Sequence, residues 1–141
     1  MFPKKKVLVV DDELGVRESL KMILKSNYQV FTASDGSEAL AYLQNGRVDL
    51  VTLDLKMPGL SGIEVLQRIK EKHPDIEVVV VTAYHTDQNE KQANDYGAAG
   101  VITKPFNAPE LIDSVNKSIE KRTLNLRRKN FSLYNSLVTR N

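Results

Sequence analysis

The sequence predicts a doubly wound α/β fold: a five-stranded parallel sheet with helices on both faces, followed by an extended C-terminal helical tail. Three observations carry this. Short runs rich in β-branched residues and leucine, near 6–10, 28–33, 48–53, 77–82 and 100–103, alternate with segments of helical period. The runs are nearly continuous in apolar residues, as expected of strands covered on both faces. Polar residues stand at their ends: Asp11-Asp12 after VLVV, Asp54 after DLVTL, Thr82 after EVVVV and Lys104 after GVIT.

The start, MFPKKK, runs straight into a strand ending in two acids, so it does not read as a signal peptide. Helices are expected near 13–26, 35–45, 62–72, 87–96 and from 108 onward. Ser61 with Glu64, Asp87 with Glu90 and Asn107 with Glu110 have the spacing of capping boxes. Gly46 and Gly97 fall where helices should stop in a left-handed residue. Pro109 is tolerated in a first helical turn, where its missing N–H costs little. The Lys104-Pro105 bond is open to either isomer. In the closing helix, Ile112, Val115 and Ile119 are expected to pack on the sheet, and Leu126, Leu133 and Leu137 continue the stripe. Beyond about residue 122 that helix should outrun the body, which divides the chain into residues 1–121 and a tail, 122–141.

At 141 residues and 41% hydrophobic content, the chain holds one domain with length to spare. No apolar run approaches the roughly 18–20 residues that cross a bilayer. The lack of cysteine excludes disulfides and thiolate metal sites and fits a cytoplasmic protein. Residues 1–105 carry 13 Lys and Arg against 15 Asp and Glu, whereas residues 106–141 carry 7 against 3. The basic cluster Arg127-Arg128-Lys129 is short and no helix-turn-helix pattern follows it, so a solvated helix face is expected rather than nucleic-acid contact. His73 and His85 read as surface residues.

Parallel strands present their C-terminal ends along one edge, so Asp11, Asp12, Asp54, Thr82 and Lys104 should meet in one pocket. Two unit charges ~4 Å apart repel by about 4 kcal/mol at an effective dielectric near 20. Three carboxylates together must therefore raise a pKa or take up a cation. Oxygen donors without His or Cys select Mg²⁺ or Mn²⁺ over zinc. A carboxylate can attack phosphorus, and Asp54, followed by the tight Met57-Pro58-Gly59 loop, is the expected nucleophile. Lys104 would add a cation and Thr82 a hydroxyl hydrogen bond. Taken singly, Thr82 reads as a structural strand end and Lys104 as a solvated lysine; joint placement gives them a role.

The succession VLVVDDE, VTLDLKMPGLSG, VVVVTAY and GVITKPF resembles the response-regulator receiver domain of two-component signalling, over about residues 4–121. The resemblance implies a sheet of order 2-1-3-4-5 and a phosphorylation-dependent switch that changes conformation to control an output. It implies that Asp54 takes a phosphoryl group from a histidine kinase or phosphotransfer protein. Asp11 and Asp12 would hold Mg²⁺ with the Lys56 backbone carbonyl. Thr82 would be the switch hydroxyl and Lys104 the partner of a phosphoryl oxygen. Such a domain catalyses only its own phosphorylation and dephosphorylation. Lys56 and Tyr84 stand where residues tune hydrolysis in the family, and a bulky Tyr84 is expected to restrict water. Many receivers carry Tyr or Phe three residues before the lysine; Val101 stands there, so coupling through a swinging ring is not expected.

Two other readings remain open on sequence. A haloacid-dehalogenase-like phosphohydrolase also uses an aspartate nucleophile, but after its first strand it carries Asp-x-Asp, where this chain has Asp11-Asp12-Glu13. A pocket that is never phosphorylated would leave an interaction module. The tail suits a linker helix to an effector domain outside this chain, a homodimerising helix, or both.

Overall fold

The computed structural model describes residues 3–139. Each apolar run forms a strand: β1 (Lys5–Val10), β2 (Tyr28–Ala33), β3 (Leu50–Leu53), β4 (Glu77–Thr82) and β5 (Gly100–Thr103). Between and after them lie α1 (Leu14–Leu24), α2 (Gly36–Asn45), α3 (Gly62–Lys72), α4 (Asp87–Asp95) and α5 (Ala108–Val138). All strands run parallel in the order β2-β1-β3-β4-β5. The chain leaves β1 toward β2 and returns to β3 on the other side. That reversal opens a crevice at the C-terminal ends of β1 and β3.

Strand alternation divides the core. Val7, Val9, Val79 and Val81 face α1 and α5, where they meet Leu20, Leu24, Leu111 and Val115. Leu8, Val10, Val78 and Val80 face the opposite layer with Leu43, Val65, Leu66 and Ile69. Since β1, β3 and β4 are covered on both sides, they have no polar face to spare, which explains their unbroken apolar runs. Val101 joins the second layer as a partly buried residue.

Helix ends depart from expectation in places. Ser61 and Asn107 cap α3 and α5 as expected, accepting from the Glu64 and Glu110 N–H groups. In α4 the cap is Thr86, whose hydroxyl accepts from Asn89 N–H at 3.0 Å, and Asp87 is already helical. Gly97 has φ +94°, the left-handed stop expected. Gly46 instead leaves α2 in extended backbone, φ −97° and ψ 145°, because the chain turns directly toward β3. Asp35 caps α2, accepting from Glu38 N–H at 2.8 Å. The Lys104-Pro105 bond is cis.

α5 is one continuous helix across the boundary expected near residue 121. Leu111, Val115, Ser118 and Ile119 are its buried residues. Val115 and Ile119 pack on the sheet as expected, whereas at the start of the stripe Leu111 takes the buried place and Ile112 is only half-buried. Contact with the body does not end at Ile119. Arg122 Nη1 lies 2.8 Å from Asp49 Oδ1, and its Nε donates to the Asp75 carbonyl at 2.9 Å. Arg127, Arg128 and Lys129 lie on an exposed helix face as expected, and Lys129 also pairs with the Asp75 carboxylate. That ammonium holds the Asp75 carboxyl below its ordinary pKa. Farther out, Phe131, Leu133, Tyr134, Leu137 and Val138 are exposed. Among the described residues, no helix is long and apolar enough to cross a membrane.

Candidate functional site

At the crevice, β1 delivers Asp11 and Asp12, β3 delivers Asp54, and the strand end after β5 delivers Lys104. One carboxylate oxygen from each of the three aspartates lies within 4.8 Å of the others. Asp11 and Asp54 are buried, at 1% and 5% exposure, while Asp12 reaches solvent. Lys104 Nζ sits among them, 2.7 Å from Asp11 Oδ2 and 3.3 Å from Asp54 Oδ2. The aspartates and the lysine expected to converge do so.

Backbone donors fix the acids. Glu13 N–H donates to Asp11 Oδ1 at 2.9 Å, and Lys56 N–H donates to Asp54 Oδ1 at 3.3 Å. Arg17 Nη1 donates to the Asp11 carbonyl at 2.7 Å, tying the strand end to α1. These supports went unread in the sequence, where a backbone N–H leaves no mark and Arg17 looks like any helical arginine. Gly62 was missed too. A Cβ there would lie 2.3 Å from the Asp54 carbonyl oxygen and 2.4 Å from Leu55 Cα. Only a glycine lets α3 begin so close to the loop carrying Asp54. The readable signal is a glycine directly after a strong cap, where helix propensity disfavours it.

The electrostatics follow from burial. Burial pushes the Asp54 carboxyl above the ordinary carboxylate range, and the Asp11 charge adds to this; Lys104 and the Lys56 N–H oppose it only in part. For Lys104, burial works against the charge, but the hydrogen bond to Asp11 and the charges of Asp54 and Asp11 outweigh it and raise its pKa.

Thr82 stands at the end of β4 fully buried, and its hydroxyl accepts the Tyr84 N–H at 3.1 Å rather than touching Asp54 or Lys104. Its carbonyl accepts the Lys104 N–H at 2.9 Å, which registers the two strand ends. The Tyr84 ring is half-exposed, with Lys56 Nζ 4.2 Å from its centroid. This pair lines the cleft over Asp54, together with Met57 and Pro58. His85 lies outside it, facing Glu90 at 2.9 Å, and His73 ends α3.

Residues 7–116 match the response regulator receiver domain family. The chain belongs to that family. Among similar receivers, sporulation initiation phosphotransferase F of Bacillus subtilis (strain 168) is 40% identical over 113 residues, which cover 79% of this chain and 91% of the relative. Response regulator MprA of Mycobacterium sp. (strain KMS) is 41% identical over 108 residues, 76% of this chain but 47% of the relative. The chain thus spans about half the length of that second relative. A CheY-like receiver domain from Methanospirillum hungatei JF-1 superposes with a TM-score of 0.84 at 28% identity, covering 87% of this chain and 99% of that one. The receiver of two-component response regulators is a phosphoacceptor switch whose family binds Mg²⁺ at an acidic cluster, and the three aspartates form such a cluster here. Nothing in the fold or the relatives favours a phosphohydrolase.

Proposed function

We propose that this receiver is a cytoplasmic switch in which Asp54 accepts a phosphoryl group from the phosphohistidine of a sensor kinase or phosphotransfer protein. The observation that carries this is the buried Asp54 carboxylate, placed between a backbone N–H, a lysine ammonium and two further acids at the sheet's crevice. An Asp54 oxygen attacks phosphorus as the P–N bond to imidazole breaks, and the imidazole leaves with the electron pair and takes up a proton. Lys104 then turns from the carboxylates to a phosphoryl oxygen, and Thr82 gives up its bond from Tyr84 to donate to another. The aspartyl phosphate brings a charge of about −1.5 to −2, and it shifts conformation only by stabilising this inward arrangement. Thus the chain's chemistry is confined to its own phosphorylation and its own dephosphorylation.

The donor set suits a hard divalent cation: Asp11, Asp12 and Asp54 would hold Mg²⁺, or Mn²⁺, with the Lys56 backbone carbonyl. When bound, such an ion neutralises charge on phosphoryl oxygens. Tyr84 and Lys56, stacked over the cleft, limit water there and prolong the phosphorylated state.

Supplied with Mg²⁺ and a small acyl phosphate, the protein is expected to gain one phosphoryl group by intact-mass measurement. Absence of any gain at saturating donor overturns the assignment.

Residues 1–121 form the receiver and 122–141 its output segment, helical to Val138 with residues 140–141 outside the described ones, which links to an effector chain or pairs with a second copy. The exposed Phe131, Leu133, Tyr134, Leu137 and Val138 supply the apolar surface for pairing. Sedimentation should show a concentration-dependent dimer; a monomer at all concentrations, with and without phosphoryl group, removes the pairing.

A further inference from the structure

α4 is thinly anchored: of its nine residues only Ala93 is buried. Polar contacts hold its amino end instead. Thr86 caps it, and Asn89 Nδ2 donates to the Tyr84 carbonyl at 2.7 Å. The facing atom is a carbonyl, so the side-chain amide must present its NH₂. The N–H of that same Tyr84 is bound to the Thr82 hydroxyl. The hydroxyl of Thr82, the backbone of Tyr84 and the amide of Asn89 therefore form one continuous chain of contacts, from the end of β4 into the first turn of α4.

We infer that Asn89 is a positioning residue that couples Thr82 to α4, in a receiver whose Val101 has no ring to swing. While the Thr82 hydroxyl holds the Tyr84 N–H, the loop is fixed and Asn89 pins the first turn of α4 to it. When Thr82 leaves Tyr84, the loop loses its inner anchor. The Asn89 amide still ties the Tyr84 backbone to α4, beside the Thr86 cap and the His85–Glu90 pair, so α4 is carried with the loop. With one buried side chain to reseat, α4 has little packing to resist the shift. The signalling half of this coupling rests on the function proposed above; the resting half rests on the contacts alone.

Asn89→Asp tests both. Aspartate has the same size but no donor for the Tyr84 carbonyl, and a carboxylate in a first turn favours the helix. Faster exchange in this variant therefore traces to the lost contact and not to a loss of helix propensity. Hydrogen exchange of the α4 amides is compared in wild type, Asn89→Asp and Asn89→Ala, before and after treatment with acyl phosphate and Mg²⁺. In both variants resting exchange should quicken by about fivefold, the worth of one hydrogen bond. Phosphoryl uptake should stay at the wild-type level, while the phosphorylation-dependent change in α4 exchange is lost. Resting exchange equal to wild type in both variants overturns the pin. A retained phosphorylation-dependent change overturns the coupling. If wild type takes up no phosphoryl group, the proposed function falls, and the resting comparison still decides whether the pin exists.

Discussion

Asp54→Asn is expected to make the protein more stable at neutral pH while abolishing phosphoryl uptake. Asp54 is buried beside Asp11, and its folded-state pKa lies above the ordinary value because burial and the neighbouring charge disfavour ionisation. A group shifted this way contributes stability that is present below its unfolded pKa and lost as pH rises through its folded pKa. At neutral pH the ionised carboxylate is therefore a net burden, which Lys104 relieves only in part. An amide of the same shape carries no charge to desolvate. In buffer free of divalent ions the gain should be on the order of 1 kcal/mol, a rise in Tm of roughly 4 °C. It should shrink in acid, where the wild-type carboxyl is protonated, and shrink again when Mg²⁺ stabilises the wild type. Thermal unfolding across pH, with and without Mg²⁺, reads all three effects. A variant less stable than wild type at neutral pH would mean that Lys104 more than offsets the cost.

Gly62→Ala should act in the opposite direction and more strongly. Its Cβ would sit at 2.3 and 2.4 Å from backbone atoms of Asp54 and Leu55, which cannot yield as the end of a flexible side chain can. Either α3 backs away from β3 or the loop carrying Asp54 moves. Overpacking of this kind costs on the order of 3 kcal/mol. It should also misplace the Asp54 carboxylate and slow phosphoryl uptake. Gly15→Ala is the contrast: the position is helical and nothing lies within 4 Å of the added carbon. There alanine should stabilise by about 0.5–1 kcal/mol. Urea unfolding of both variants separates a steric role from a general effect of losing glycine; equal stability of the two removes the close-approach argument.

Much of the fold was legible because the strands are buried on both faces, so the apolar runs themselves mark the sheet. The acids and Lys104 were legible for a related reason: a polar residue ending such a run has only the crevice to face. What stayed hidden depends on relations between distant backbones. Gly62 matters because α3 starts against Asp54 and Leu55. Leu111 and Ile112 both suit the stripe of Val115 and Ile119, standing four and three residues before Val115, and only the packing decides that Leu111 is the buried one. Asp87 and Thr86 are both good caps, and only the backbone decides which one precedes the helix. Thr82 was placed correctly on β4, but its hydroxyl direction depends on the loop that follows.

The two cations that fasten α5 to Asp49 and Asp75 give the projecting helix a fulcrum. From Lys129, the outer of the two anchors, to Val138 the shaft measures ~14 Å at 1.5 Å per residue. A tilt of about 5° at the body would sweep its tip through roughly 1 Å, which a side chain packed against that tip would register. Small displacements inside the receiver would thus arrive magnified at the far end, and loosening Lys129 would move the pivot inward to Arg122 and lengthen the throw without touching the crevice.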